Sequence, residues 1–64
     1  MTNTSALSIL ASDAEIAGHK AGLAVLAGKL DVEAAGDRWV KWADRSYAQG
    51  RAFERAYEAT GATR

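Results

Sequence analysis

DVEAAGDRWVKWADRSYAQGRAFERAYEAT, residues 31–60, is the stretch on which the fold turns. It lacks proline, is dotted with charges and carries all five aromatic residues, Trp39, Trp42, Tyr47, Phe53 and Tyr57. At about 100° per residue, Val32, Ala35, Trp39, Trp42, Ala43, Ser46, Gly50, Phe53 and Tyr57 form one stripe. Asp37, Lys41, Asp44, Ala48, Arg55 and Ala59 fall opposite. The pattern predicts a long amphipathic helix over about 32–60, capped by Asp31 and stopped by Gly61. Gly36 is the one place inside it where a bend is anticipated, with Asp37 able to recap the helix beyond it.

Upstream, Ile9, Ile16, Leu23 and Leu30 recur at seven-residue spacing, with Ser12, His19 and Leu26 three positions further on. That is a heptad seam, polar in its first half and apolar in its second. It predicts one helical stretch over about 5–28, capped by Thr4 or Ser5 and able to kink at Ser12; because Ser12 and Glu15 fit a capping box, the alternative is a new helix from Asp13 with 5–11 as a separate turn or short helix. The far side of this helix holds Ala11, Ala14, Gly18, Ala21, Gly22, Val25 and Gly28, where a solvated face would carry charges. Each interior glycine costs about 1 kcal/mol relative to alanine, so Gly18 and Gly22 imply the close approach of another backbone. The plainer alternative is a compositional bias toward alanine and glycine. Gly28, Lys29, Leu30 and Asp31 form the turn, and so short a connection makes the two helices antiparallel neighbours. The expected fold is therefore all-α, an antiparallel helical hairpin forming one domain over 1–64.

A domain of this length buries only about 60% of the surface its unfolded chain exposes. Cysteine is absent, so no disulfide can brace it, and the single histidine, His19, is too little for a structural zinc site. Association is the remaining route. Trp39, Trp42, Phe53 and Tyr57 bracket the small residues Ala43, Ser46 and Gly50, an arrangement that lets a neighbouring helix cross closely between large rings. Two copies pairing into a homodimeric four-helix bundle, or a foreign protein docking there, would use Gly18, Gly22, Val25, Trp39, Trp42, Ser46, Gly50, Phe53 and Tyr57.

Eight basic and eight acidic residues leave no net charge, which argues against nonspecific binding to nucleic acid or to an anionic membrane. The distribution is uneven. Acidic residues dominate up to Asp37, and Arg38, Lys41, Arg45, Arg51, Arg55 and Arg64 dominate beyond it, so one half could face the other. No uncharged run reaches the roughly 20 residues of a membrane span, and the start lacks a basic n-region, so a cytoplasmic setting is expected.

Signs of chemistry are few. Glu15 one turn before His19 could give a hydrogen bond, a pH-sensitive contact or half of a metal site, yet the Glu-x-x-His spacing of carboxylate-bridged metal sites is missing and a structural histidine is the preferred reading. Glu54 and Glu58, near Arg51 and Arg55, read as a solvated face. Lacking a nucleophile with its base, a carboxylate pair or a phosphate loop, the chain is expected to hold no catalytic residue, metal or cofactor. Arg38, Lys41 and Arg45 form a basic strip beside Trp39 and Trp42 that could grip phosphates while indoles stack on bases. The preferred reading is an ordinary helix flank, because three cations grip weakly and Asp37 and Asp44 lie within a turn of them.

The order AGHKAG at 17–22, then Trp39, then AQGRAFERA at 48–56 is loosely similar to small ribosome modulation factor proteins, at scattered positions over about half the chain. That family implies a short helical hairpin with glycine-rich and tryptophan-containing patches. Its strongly basic character is missing here, and the resemblance does not place the chain in it. From the residues themselves, the expected function is a small non-catalytic protein-binding module, of the sort phages and mobile elements encode to inhibit a larger bacterial complex. A nucleic-acid or ribosome-associated factor using Arg38, Lys41 and Arg45, or a structural assembly subunit, is the alternative.

Overall fold

A computed structural model describes residues 12–62, and three α-helices succeed one another in it: α1, Ser12–Leu26; α2, Val32–Arg45; and α3, Tyr47–Ala59. No strand occurs among the described residues. The expected start near residue 5, its cap at Thr4 or Ser5, and the Ile9 rung of the seam lie outside them.

The first turn is built as its residues dictate. Gly28 takes φ +75°, a conformation that a side chain would strain, and so closes α1. Lys29 N–H donates to the Ala24 carbonyl at 2.8 Å and Gly28 N–H to that of Val25 at 3.0 Å, the paired bonds of a Schellman ending. Asp31 then caps α2, its Oδ1 accepting from Ala34 N–H at 2.9 Å. Gly36 does not interrupt α2, which runs through it unbroken.

The single helix expected over about 32–60 is two. Ser46 sits in extended backbone at φ −169°, ψ 155° and serves both helices. Its N–H donates to the Trp42 carbonyl at 3.3 Å, ending α2, while its Oγ accepts from Gln49 N–H at 3.1 Å, starting α3. Serine is favoured here because its short hydroxyl reaches an unpaired N–H of the new first turn. The break folds α3 back onto α2. In an unbroken helix Ala43 and Gly50 would stand about 10 Å apart along the axis. Here a Cβ on Gly50 would lie 2.8 Å from Ala43 Cα, and the Trp39 indole N–H donates to the Gly50 carbonyl at 3.0 Å.

The third helix supplies the backbone that Gly18 requires, and the side chain of its C-cap Thr60 is what Gly22 meets. A Cβ on Gly18 would overlap the Phe53 carbonyl oxygen and come 2.9 Å from its carbonyl carbon; one on Gly22 would overlap Thr60 Oγ1 and come 2.8 Å from its Cγ2. Thr60 is itself held, donating to the Tyr57 carbonyl at 2.6 Å and accepting from Ala62 N–H at 3.2 Å, and Gly61 at φ +88° stops the chain's last helix. The small-residue face of α1 is thus covered by α3 of the same chain. The core between them consists of Ala14, Ala21, Ala52 and Phe53, with Ala17, Leu30, Trp42 and Tyr57 packed around it.

Candidate functional site

Burial in this fold runs against side-chain size. Among the described residues, Phe53 is the one large side chain fully enclosed, and the other buried apolar residues are Ala14, Ala21, Ala35, Ala52 and Ala62. Ile16, Leu23 and Leu26 stay about half exposed at 51%, 48% and 56%, and Val32 and Tyr47 are more open still at 64% and 81%. The cause is geometric. Backbones meet closely only where side chains are small, so α1 turns Gly18 and Gly22 inward, and its bulky heptad residues necessarily point away.

Two apolar surfaces result. On the outer side of α1, Ile16 and His19 flank a groove shared with Ala56 and Ala59 of α3, with Glu15 and Lys20 at its edges. Leu23 and Leu26 continue the same stripe by their helical spacing and are exposed. On the α2–α3 side, Trp39 stands between two grooves. One is lined by Ala43, Tyr47, Gly50, Arg51 and Glu54, the other by Val32, Ala35, Gly36, Phe53, Glu54 and Tyr57. The indole is fixed by its hydrogen bond to Gly50, so one large ring is presented in a set orientation between them.

The residues expected at a partner interface divide into two sets. Gly18, Gly22, Gly50 and Phe53 are buried within the chain, with Val25, Trp42 and Tyr57 half-buried, and Phe53 and Tyr57 stack with ring centroids 6.3 Å apart. They pack within the chain: Gly18 meets the α3 backbone at Phe53, Gly22 the Thr60 side chain and Gly50 the α2 residue Ala43. Ser46 is a cap. Only Trp39 of that set, 39% exposed, offers an open apolar surface. Sequence reasoning missed Ile16, Leu23 and Leu26 as exposed residues, because a heptad seam reads as the side that faces a neighbour; Val40 of α2, outside the seam, is exposed as well.

Of the basic strip, Arg38 and Lys41 line a cleft with Trp42 that also takes in Ala17 and Lys20 of α1. Arg45 lies over the Trp42 ring, its guanidinium carbon 4.5 Å from the centroid, a cation–π contact. The guanidinium thus covers indole, as an ordinary helix flank would, while Arg38 and Lys41 open into the cleft. On α3 the Arg51 guanidinium lies 3.8 Å from Glu54 Oε1 in a half-exposed pair that contributes little stability. Glu15 and His19 line one groove, and no third side chain able to ligate a metal joins them among the described residues. No described helix is long and apolar enough to cross a membrane.

No family pattern matches this chain, and neither a curated protein nor a solved structure does.

Proposed function

We propose that the chain is a small non-catalytic protein-binding module of the cytoplasm, which docks on a larger protein and pairs with a second copy of itself. The supporting observation is the inverted burial: alanines fill the core while Ile16, Leu23, Leu26, Val32, Trp39, Val40 and Tyr47 remain open. Contiguous exposed apolar surface of this kind marks interaction sites. Trp39 suits docking, since tryptophan is a frequent hot spot and a ring already held by a hydrogen bond loses little freedom on binding. Tyr47, beside it in the same groove, adds the most exposed aromatic surface of the chain's described part.

Pairing of copies falls to the outer stripe of α1. Ile16 and Leu23 sit at one heptad position and His19 and Leu26 at the other, so two α1 helices could interlock along this seam and build a helical bundle from two copies. An inhibitory role on a larger bacterial complex, as small phage or mobile-element proteins exert, is an economical use of such a module, because it requires a surface and no chemistry.

One experiment with two variants tests both surfaces. At micromolar concentration the protein should scatter light as a dimer, and Leu23→Lys should give a monomer of unchanged helicity. A host protein captured by the tagged chain should be lost with Tyr47→Ala, whose ring the fold does not need. A monomeric parent removes the pairing, and equal capture by both chains removes the docking surface.

A further inference from the structure

The cleft between α1 and α2 has a different chemistry from the apolar grooves. Its lining is Ala17 and Lys20 from α1 with Arg38, Lys41 and Trp42 from α2, around a space of about 420 Å³. The basic strip legible in the sequence was confined to one helix. The fold brings in Lys20 from another.

Among the described residues, no carboxylate lines this cleft. The ion pair found among the described residues, Arg51 with Glu54, lies on α3 and uses none of these cations. Arg45, seated on Trp42, adds a fourth positive charge next to the cleft's indole. Asp37 and Asp44 lie within a turn of Arg38 and Lys41 on α2 and lower the field there, but donors converging from two helices suit an oxyanion better than one strip does. The remaining lining, Trp42 and the Ala17 methyl, is flat and apolar. A ligand complementary to both parts is an anion joined to an aromatic plate.

We propose that the α1–α2 cleft binds a nucleotide unit, its phosphate held by Lys20, Arg38 and Lys41 and its base lying against Trp42 and Ala17. A free nucleotide and a single-stranded nucleic acid share this chemistry. The proposal does not rest on the protein-docking reading: the cleft shares no residue with the grooves beside Trp39 and only Lys20 with the groove on α1.

The test is titration of the ¹⁵N-labelled full chain at about 50 mM salt, where phosphate contacts are weakly screened. The probes are adenosine triphosphate, inorganic tripolyphosphate and a single-stranded oligouridylate. Saturable shifts are expected at Ala17, Lys20, Arg38, Lys41 and the Trp42 indole. The nucleotide should bind more tightly than tripolyphosphate of the same charge class, and a tighter oligouridylate identifies the strand as the source of the ligand, a weaker one the free nucleotide. Lys20→Gln should weaken binding about fivefold, the worth of one charge contact near a surface, while Lys29→Gln, on the exposed turn outside the cleft, should leave it unchanged. Shifts that do not saturate by about 10 mM, far weaker than functional phosphate sites, overturn the proposal. So does equal binding of tripolyphosphate and nucleotide, or an equal loss in Lys20→Gln and Lys29→Gln.

Discussion

Replacing Phe53 by alanine is expected to unfold the protein at room temperature. Phe53 is the one large side chain enclosed among the described residues, at 2% exposure, and its neighbours in the core, Ala14, Ala21 and Ala52, cannot move far enough to fill the space it leaves. A Phe→Ala change in a core costs about 3–5 kcal/mol, and a single core in a chain this short supplies about the same amount in total. Circular dichroism should show the helical signal fall and the cooperative thermal transition vanish. A melting temperature lowered by only a few degrees would mean that stability resides elsewhere, with association of copies the first place to look.

The second large effect is a difference in sign between two glycines. Gly→Ala inside a helix gains about 0.5–1 kcal/mol when the new methyl meets nothing. Gly36 is such a site, with nothing among the described residues beyond its own helical backbone within 4 Å of where its Cβ would be, so Gly36→Ala should raise the melting temperature. Gly18 is the opposite, because its Cβ would strike the Phe53 carbonyl. That atom belongs to a helix backbone, which cannot swing aside as a side chain does. Overpacking of this kind costs about 1–3 kcal/mol, so Gly18→Ala should destabilise, and Gly18→Leu should drive α1 off α3 altogether. Thermal melts of the three variants decide the matter. Stabilisation by both alanines would mean that α1 does not rest on α3.

The Gly18 result also separates two kinds of packing. If the glycine face met a second molecule, substitution would lower the mass of the particle and leave the monomer folded. With α3 as the neighbour, it attacks the monomer itself, and the proposed pairing of copies would instead use the exposed Ile16 and Leu23 side.

Several features were legible residue by residue. The ending of α1 at Gly28, the Asp31 cap and the stop at Gly61 come from local backbone preferences, and each stands where the residue types place it. The break at Ser46 also had a local signal. Ser46 with Gln49 three positions on fits the spacing of a helix N-cap, and the Ser46 hydroxyl does accept from Gln49 N–H. The signal was masked because hydrophobic periodicity continues on both sides, and a stripe drawn through Ser46 hides one extended residue.

The basic cleft was half legible. Arg38 and Lys41 share a face of α2 by their spacing, but Lys20 joins them only once α1 and α2 lie side by side. No periodic pattern links those positions, since they belong to separate helices.

Helical content, the turn at 28–31 and the demand of Gly18 and Gly22 for a nearby backbone are properties of short segments, governed by φ preferences, caps and the cost of a missing Cβ. Which backbone answers that demand is a long-range matter. The reversal at Ser46 carries Phe53 onto Gly18, so the chain covers its glycine face itself and leaves its bulky heptad face open. Periodicity can say that a helix has two faces; only the packing of all three helices settles which one is hidden.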